Sequence, residues 1–374
     1  MSAKIIIINI FSIIISIFTA MDNDSYHVLG VMSGTSLDGL DLCYVHFKKK
    51  SSWCFKIICS DTISYEPQWI DTLQSAIYFD DKELDELDEN YTEFLSDRIL
   101  EFVKDHSIKE LDAICSHGHT ILHEPKKGIT KQIGNLPSIA TRLKTTVVCD
   151  FRVQDVELGG QGAPLVPIGD KLLFSEYTYC LNLGGFANIS FQKGEERIAF
   201  DICPVNIILN HYARQLGVAF DDGGKMARLG MLNEKLLYSL NELTYYMKQP
   251  PKSLGLEWVN THVFPLIDSF KMNKKDILCT LVEHMAFQIS QQIDHSSEAK
   301  VLVTGGGAFN TFLIERLKKL TASAIVIPSE EIVNFKEALV FGLLGVLKIR
   351  NEINCLSSVT GAEYDHSSGK IYEY

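Results

Sequence analysis

Two stretches of the chain carry residue types suited to gripping an anion. His27–Asp41 reads as a strand that passes through Gly34-Thr-Ser-Leu-Asp-Gly39 and runs back out, and Tyr179–Ser190 does the same through Gly184-Gly-Phe-Ala-Asn188. A tip built from Gly, Ser, Thr and Asn lets backbone N–H groups approach an anion closely, because no Cβ blocks the way and hydroxyls add donors. Two such tips can clamp a polyphosphate from opposite sides. A third small-residue cluster, Gly305-Gly306-Gly307, follows another strand-like run. One glycine turn would be explained by backbone angles alone. Glycines at equivalent strand ends in both halves call for more. The chain has no Walker-type loop and no strand-linked G-x-G-x-x-G.

The elements that must hold these tips occur in the same order twice. In the first half, strands near 27–32, 40–47 and 54–60 precede a helix whose apolar residues Leu84, Leu87, Tyr91, Leu95, Ile99 and Phe102 recur at three and four. The acids between Asp80 and Glu89 flank its first turns, where they suit the positive end of the helix dipole. Buried strands then run into Ser116-His-Gly-His-Thr120 and Asp150-Phe-Arg152. In the second half, strands near 179–184, 187–192 and 197–201 lead to a helix near 204–216. An amphipathic helix from Asp276 to Ile293, a strand at 300–304, a helix near 308–320, a strand at 324–328 and a helix over 335–349 follow. A duplicated βββαβαβ order predicts an α/β protein with two similar lobes and a cleft between them, since parallel strands need helical crossovers and ligands gather beyond strand carboxyl ends. That is the order of the actin-like (ribonuclease H-like) ATPase fold, with the nucleotide between the lobes. The expected division is lobe I over 21–149, to which 350–374 returns, and lobe II over 150–349 with an insertion at about 217–270 that shapes a pocket or moves as a lid.

With 374 residues, 46% hydrophobic and 22% charged, the chain can fill two cores. A net charge of −12 leaves no electrostatic footprint for nucleic acid or an anionic membrane surface. An anionic ligand must be held by local donors and metal. The nine cysteines form no Cys-x-x-Cys pair, and Cys43, Cys59, Cys115, Cys149 and Cys180 lie in apolar runs, as reduced thiols do in a reducing compartment. Residues 1–20 form an apolar extension, read either as a start upstream of Met21 or as a signal-like segment. It is short for a membrane span, and Phe18 and Ala20 make a poor cleavage site, so a cytoplasmic location is expected.

Eight ordered strings are more specific than this pattern. Gly30-Val-Met-Ser-Gly-Thr-Ser-Leu-Asp-Gly39, Ser116-His-Gly-His-Thr-Ile121, Gln132-Ile-Gly-Asn135, Asp150-Phe-Arg152, Gly159-Gly-Gln-Gly-Ala-Pro-Leu-Val-Pro167, Asn182-Leu-Gly-Gly-Phe-Ala-Asn188, Pro250-Pro-Lys-Ser253 and Gly305-Gly-Gly-Ala-Phe-Asn310 closely resemble the 1,6-anhydro-N-acetylmuramic acid kinases over 27–349. The resemblance implies that ATP and water convert the anhydro-sugar into N-acetylmuramic acid 6-phosphate and ADP. The substrate's O6 is an ether oxygen with no proton to lose. A carboxylate must therefore activate water for attack at C1, releasing O6 to take the γ-phosphoryl group.

On this resemblance Asp201 is the base and Glu337 lies near the sugar. Gly34, Thr35, Ser36, Leu37, Asp38, Gly39, Leu40 and Asp41 cradle the ATP phosphates, and Asp38 or Asp41 holds Mg²⁺ through water. Gly184, Gly185 and Asn188 form the opposing clamp, while Gly305, Gly306, Gly307 and Asn310 meet the adenosine. Arg152 and Lys252 suit anionic groups, including the sugar's lactyl carboxylate. A homodimer is implied as well. The chain departs from the family at one place: the usual Asp-Thr-Gly-Pro-Gly-Asn is Asp201-Ile-Cys-Pro-Val-Asn206, with both glycines gone. His117, His119 and His123 have ligand-like spacing but no acid or cysteine completes a metal set, so they are read as hydrogen-bonding residues at the lobe connection. The remaining readings are a conventional hexose or acetate-type kinase on the same fold, and a non-catalytic sugar or nucleotide sensor.

Overall fold

The computed structural model describes residues 24–374 except 35 and 295. The expectations for 1–20 and for Thr35 lie outside the described residues. The first half contributes β1 (Ser25–Ser33), β2 (Gly39–Lys49), β3 (Trp53–Ser64), α1 (Asp81–Asp105), β4 (Ala113–Glu124), β5 (Ile129–Ile133), α2 (Ser138–Leu143), β6 (Val147–Cys149) and α3 (Pro167–Leu173). The second contributes β7 (Tyr179–Leu183), β8 (Phe186–Lys193), β9 (Glu196–Pro204), α4 (Asn206–Arg214), α5 (Lys274–Ser290), β10 (Lys300–Thr304), α6 (Thr311–Leu320), β11 (Ala324–Val326) and α7 (Glu330–Ile349), and β12 (Lys370–Tyr372) ends the chain.

The two sheets repeat one topology. In the first, the order runs β3-β2-β1-β4-β6, and in the second β9-β8-β7-β10-β11. In each, the three leading strands pair antiparallel and the last two join in parallel. This is the duplicated order of the actin-like fold. Parallel pairing places the carboxyl ends of β1 and β4, and of β7 and β10, on common edges. The glycine-bearing turns open there.

Three differences from the sequence reading have plain causes. The strand that runs into Ser116–Thr120 does not stop there but continues to Glu124, because β1 pairs with the run on one side and β5 on the other. Asp201 does not end its strand: β9 runs on to Pro204. The helix from Lys274 is buried nearly all round, not striped, since the 217–270 insertion packs over its outer side and places Ala227, Leu236, Leu240, Val259, Val263 and Ile267 in the second core. The acidic run does start a helix, with Asp80 and Glu83 exchanging side-chain and backbone hydrogen bonds in a capping box.

The last helix of each half crosses to the other half's sheet. α7 packs on the first sheet so closely that a Cβ on Gly30 would lie 1.9 Å from the Ala338 carbonyl oxygen, and one on Gly345 would lie 2.1 Å from Cys115 Sγ. α3 in turn packs beneath β8 and β9, with Gly169 against Val340. A core of α7 residues with Val28, Cys43, Cys115, Cys180 and Leu302 therefore spans both sheets. The C-terminal segment returns to the first sheet, where β12 pairs antiparallel with β6.

Candidate active site

The first tip sits between β1 and β2. Leu37 donates its N–H to Gly34 O at 3.3 Å and takes φ 59°, and Ser36 Oγ donates to Asp38 at 2.7 Å. Asp41 accepts from Thr62 Oγ1 at 2.6 Å. Burial pushes its carboxyl up to about 6 against that hydrogen bond, and the negative charges of Asp38 and Glu337 add to the rise. Glu337, on the first turns of α7, is itself raised by burial and by Asp38, while Arg152 and Lys336 oppose the rise. Its side chain is open to solvent, with Asp38, Arg152 and Lys336 near enough for their charges to act on it.

Arg152 is held where it can face Glu337. Its Nε donates to His117 Nε2 at 2.9 Å and its Nη1 to Gly162 O at 2.5 Å. Since Gly118 O can only accept, His117 Nδ1 carries the proton and donates at 2.8 Å, which leaves Nε2 as the acceptor Arg152 needs. Burial and the neighbouring guanidinium hold His117 far below the usual histidine range, so this neutral tautomer persists. Burial also lowers Arg152, to about 10, leaving it a cation. The other two histidines of the strand differ in use. His119 Nδ1 meets Ser33 Oγ at 2.7 Å at the root of the first tip, and His123 meets Thr130.

A second group gathers on β9. Asp201 stands opposite Asn188 in the β8–β9 ladder, next to a bulge between Ala187 and Asn188. Its Oδ2 accepts from Leu254 N at 2.9 Å, its N–H donates to Lys252 O at 3.2 Å, and its carbonyl accepts from Tyr245 Oη at 2.6 Å. Burial raises its carboxyl above the ordinary aspartate value and the Leu254 N–H partly offsets this. It caps no helix, since Val205 is the residue preceding α4. Lys252 Nζ lies 4.9 Å from the Tyr245 ring and 5.5 Å from the Phe200 ring, and burial lowers its pKa. The replacements Cys203 and Val205 are fully buried in the second core, so neither side chain reaches into solvent beside Asp201.

The remaining turns meet each other. Gly185 O accepts from Val205 N at 2.8 Å and Gly184 O from Asn206 N at 3.3 Å, which locks the second tip to the start of α4. A Cβ on Gly185 would meet nothing, leaving that face open. Gly305 takes φ 78° and a Cβ there would strike Asn182 Oδ1 at 2.4 Å, so only glycine fits the close approach of the β10 turn to β7. Asn310 caps α6 through Leu313 N. Gly306 and Asn310 line a cavity of about 60 Å³ together with Asn206, Leu209, Phe220 and the Asp221-Asp-Gly segment.

Two groups were not foreseen in roles. Phe220 and Asp221–Gly223 form one wall of that cavity. These residues belong to the 217–270 insertion, of which only Lys252 is assigned a contact from the sequence. Asn135 has both amide atoms buried without a hydrogen-bond partner, beside Gly118. No helix among the described residues is long and apolar enough to cross a membrane.

The family profile of anhydro-N-acetylmuramic acid kinases matches residues 26–374. The anhydro-N-acetylmuramic acid kinase of Sulfurimonas denitrificans is 31% identical across 92% of this chain and 99% of its own length. That of Sulfurovum sp. is 33% identical across 94% and 100%, and that of Pasteurella multocida 33% across 94% and 98%. Profile, relatives and the doubled sheet order agree over nearly the whole chain, which belongs to the anhydro-N-acetylmuramic acid kinase family.

Proposed function

We propose that the protein uses ATP and water to open 1,6-anhydro-N-acetylmuramic acid and phosphorylate its O6, giving N-acetylmuramic acid 6-phosphate and ADP. The observation that carries the reading is Asp201: a half-buried carboxyl with a raised pKa, one oxygen tied to a backbone N–H and the other free of any hydrogen bond to protein among the described residues. A base needs such a free oxygen to take a proton from water. Water attacks C1, the C1–O6 bond breaks, and O6 takes the γ-phosphoryl group as ADP leaves. One proton passes from the water to Asp201.

The phosphates lie between the Gly34–Asp41 tip and Gly184, Gly185 and Asn188, and the adenosine lies at Gly305–Gly307 against Asn310 and the Phe220–Gly223 wall. Mg²⁺ fits the first tip, because the charges of Asp38 and Glu337 raise the Asp41 carboxyl and that of Asp38 raises Glu337, which marks a site short of positive charge. Asp38 and Asp41 would hold it, and when bound it offsets the charge of the transferring phosphate. Arg152 takes an anionic group beside Glu337, and Lys252 takes the lactyl carboxylate. We place the enzyme in the cytoplasm as a homodimer.

A coupled assay of ADP release tests this. Turnover is expected with the anhydro-sugar and not with ring-opened N-acetylmuramic acid. Preference for the ring-opened sugar favours a conventional kinase. A ligand-induced thermal shift without ADP release favours a sensor.

A further inference from the structure

The segment before β12 folds against the loop that carries Arg152. Cys355 and His366 pair across an isolated antiparallel bridge, each N–H donating to the other's carbonyl, at 3.1 and 3.2 Å. Directly opposed residues of such a pair put their side chains on one side. Both side chains meet Asp155, and all three residues are buried, at 0% exposure for Asp155, 2% for Cys355 and 4% for His366. Asp155 Oδ1 lies 3.0 Å from Cys355 Sγ and 3.6 Å from His366 Nε2, and the three candidate donor atoms fall within 4.8 Å of one another.

The histidine does not fit a simple hydrogen-bonded cluster. Its Nδ1 lies 3.0 Å from Tyr364 O, which can only accept, so Nδ1 carries a proton. Nε2 has no hydrogen-bond partner and is aimed at a carboxylate oxygen. With Nε2 bare, two lone pairs face each other in a dry site and need a proton or a metal ion between them. A proton on Nε2 would draw the pair to the ~2.8 Å of a charge-assisted bond. Donors held at about 2.1 Å by one tetrahedral ion stand about 3.4 Å apart, near the 3.6 Å between His366 Nε2 and Asp155, while Cys355 Sγ, hydrogen-bonded to that carboxylate at 3.0 Å, would move outward on binding.

We propose that Asp155, Cys355 and His366 form a structural site for a divalent transition metal of the Zn²⁺ class, outside the active site. One carboxylate oxygen, one imidazole nitrogen and one thiolate are the donor types such ions take. Binding replaces the thiol proton: M²⁺ and Cys355–SH give Cys355–S–M⁺ and H⁺, with no change of oxidation state. Thr360 Oγ1 donates to the same carboxylate oxygen at 2.7 Å and so orients it. The ion would fasten the C-terminal segment to a loop that Asp155 already shapes, its Oδ2 accepting from Gly162 N at 2.7 Å while Gly162 O anchors Arg152.

The test uses the full chain in a C54S/C59S background, which removes the two cysteines that are not buried. After purification without chelator and gel filtration, elemental analysis is expected to find about one zinc per chain. The C355S/H366Q variant should retain under about a tenth of that. Stripped protein titrated with Co²⁺ should develop a thiolate-to-metal charge-transfer band, and Zn²⁺ should raise its Tm. Zinc-free protein that shows neither the band nor a Tm shift overturns the site, as does a folded double variant that binds like the parent. Should that variant fail to fold, the cobalt spectrum and Tm shift of the parent decide alone.

Discussion

At the residue scale, Asp201 and Asp41 have raised pKa values with different consequences. Asp201→Asn keeps an acceptor for Leu254 N–H but removes the base. Turnover should fall by about 10²–10⁴-fold, with ATP affinity retained by calorimetry. A raised carboxyl pKa means the folded state binds the proton more tightly than the unfolded chain, so ionisation of this group at neutral pH costs stability. The Asn variant should therefore melt no lower than the parent at pH 7.5. Asp41, pushed up to about 6, should gain its proton as pH falls through that value. The KM for Mg-ATP should accordingly rise on the acid side of about pH 6, and Asp41→Asn should give a high, flat KM over the same range. A profile that keeps its acid limb in that variant would move the titration to another group. His117 acts through Arg152, so His117→Phe should raise the sugar KM more than it lowers kcat, since it frees the guanidinium without touching the base.

At the element scale, α7 delivers Glu337 to the cleft only because Gly30, Gly342 and Gly345 let helix and sheet approach closely. Gly30→Ala places a methyl against the Ala338 carbonyl, one residue from Glu337. It should cost about 1–3 kcal/mol or more in chemical denaturation and also lower kcat. Strands and long helices were legible because local pattern determines them: alternation between turn residues marks β1, β2, β7 and β8, and a three-four spacing marks α1. Partners at a distance were not. The polar Ser116–Thr120 run belongs to β4 only because β1 and β5 flank it, and α5 is striped in expectation but covered in fact by the insertion. Asp41, Arg152 and Glu337 could each be singled out through the family resemblance. That their charges act on one another depends on how α7 crosses back to the first sheet, which no local window contains.

At the scale of the whole molecule, the lobes are joined by the exchanged helices α3 and α7, and a buried ion pair sits at their crossing. Lys336 Nζ lies 2.6 Å from Asp170, whose other oxygen accepts from Ser190 Oγ at 2.5 Å, and Arg197 donates to that hydroxyl at 2.7 Å. Asp170→Ala strands two buried cations and should cost about 3–5 kcal/mol, read by denaturant unfolding. Two lobes closing on ATP would serve any kinase of this fold, so the distinguishing claim concerns where the solvent oxygen goes. The most direct test runs the reaction in H₂¹⁸O and reads the product promptly by mass spectrometry and ³¹P NMR, with finished product incubated for the same time to measure anomeric exchange. The expected product carries ¹⁸O at C1 above that exchange and none in its phosphate. An unlabelled C1 in product formed from the anhydro-sugar would contradict hydrolytic opening by Asp201-activated water.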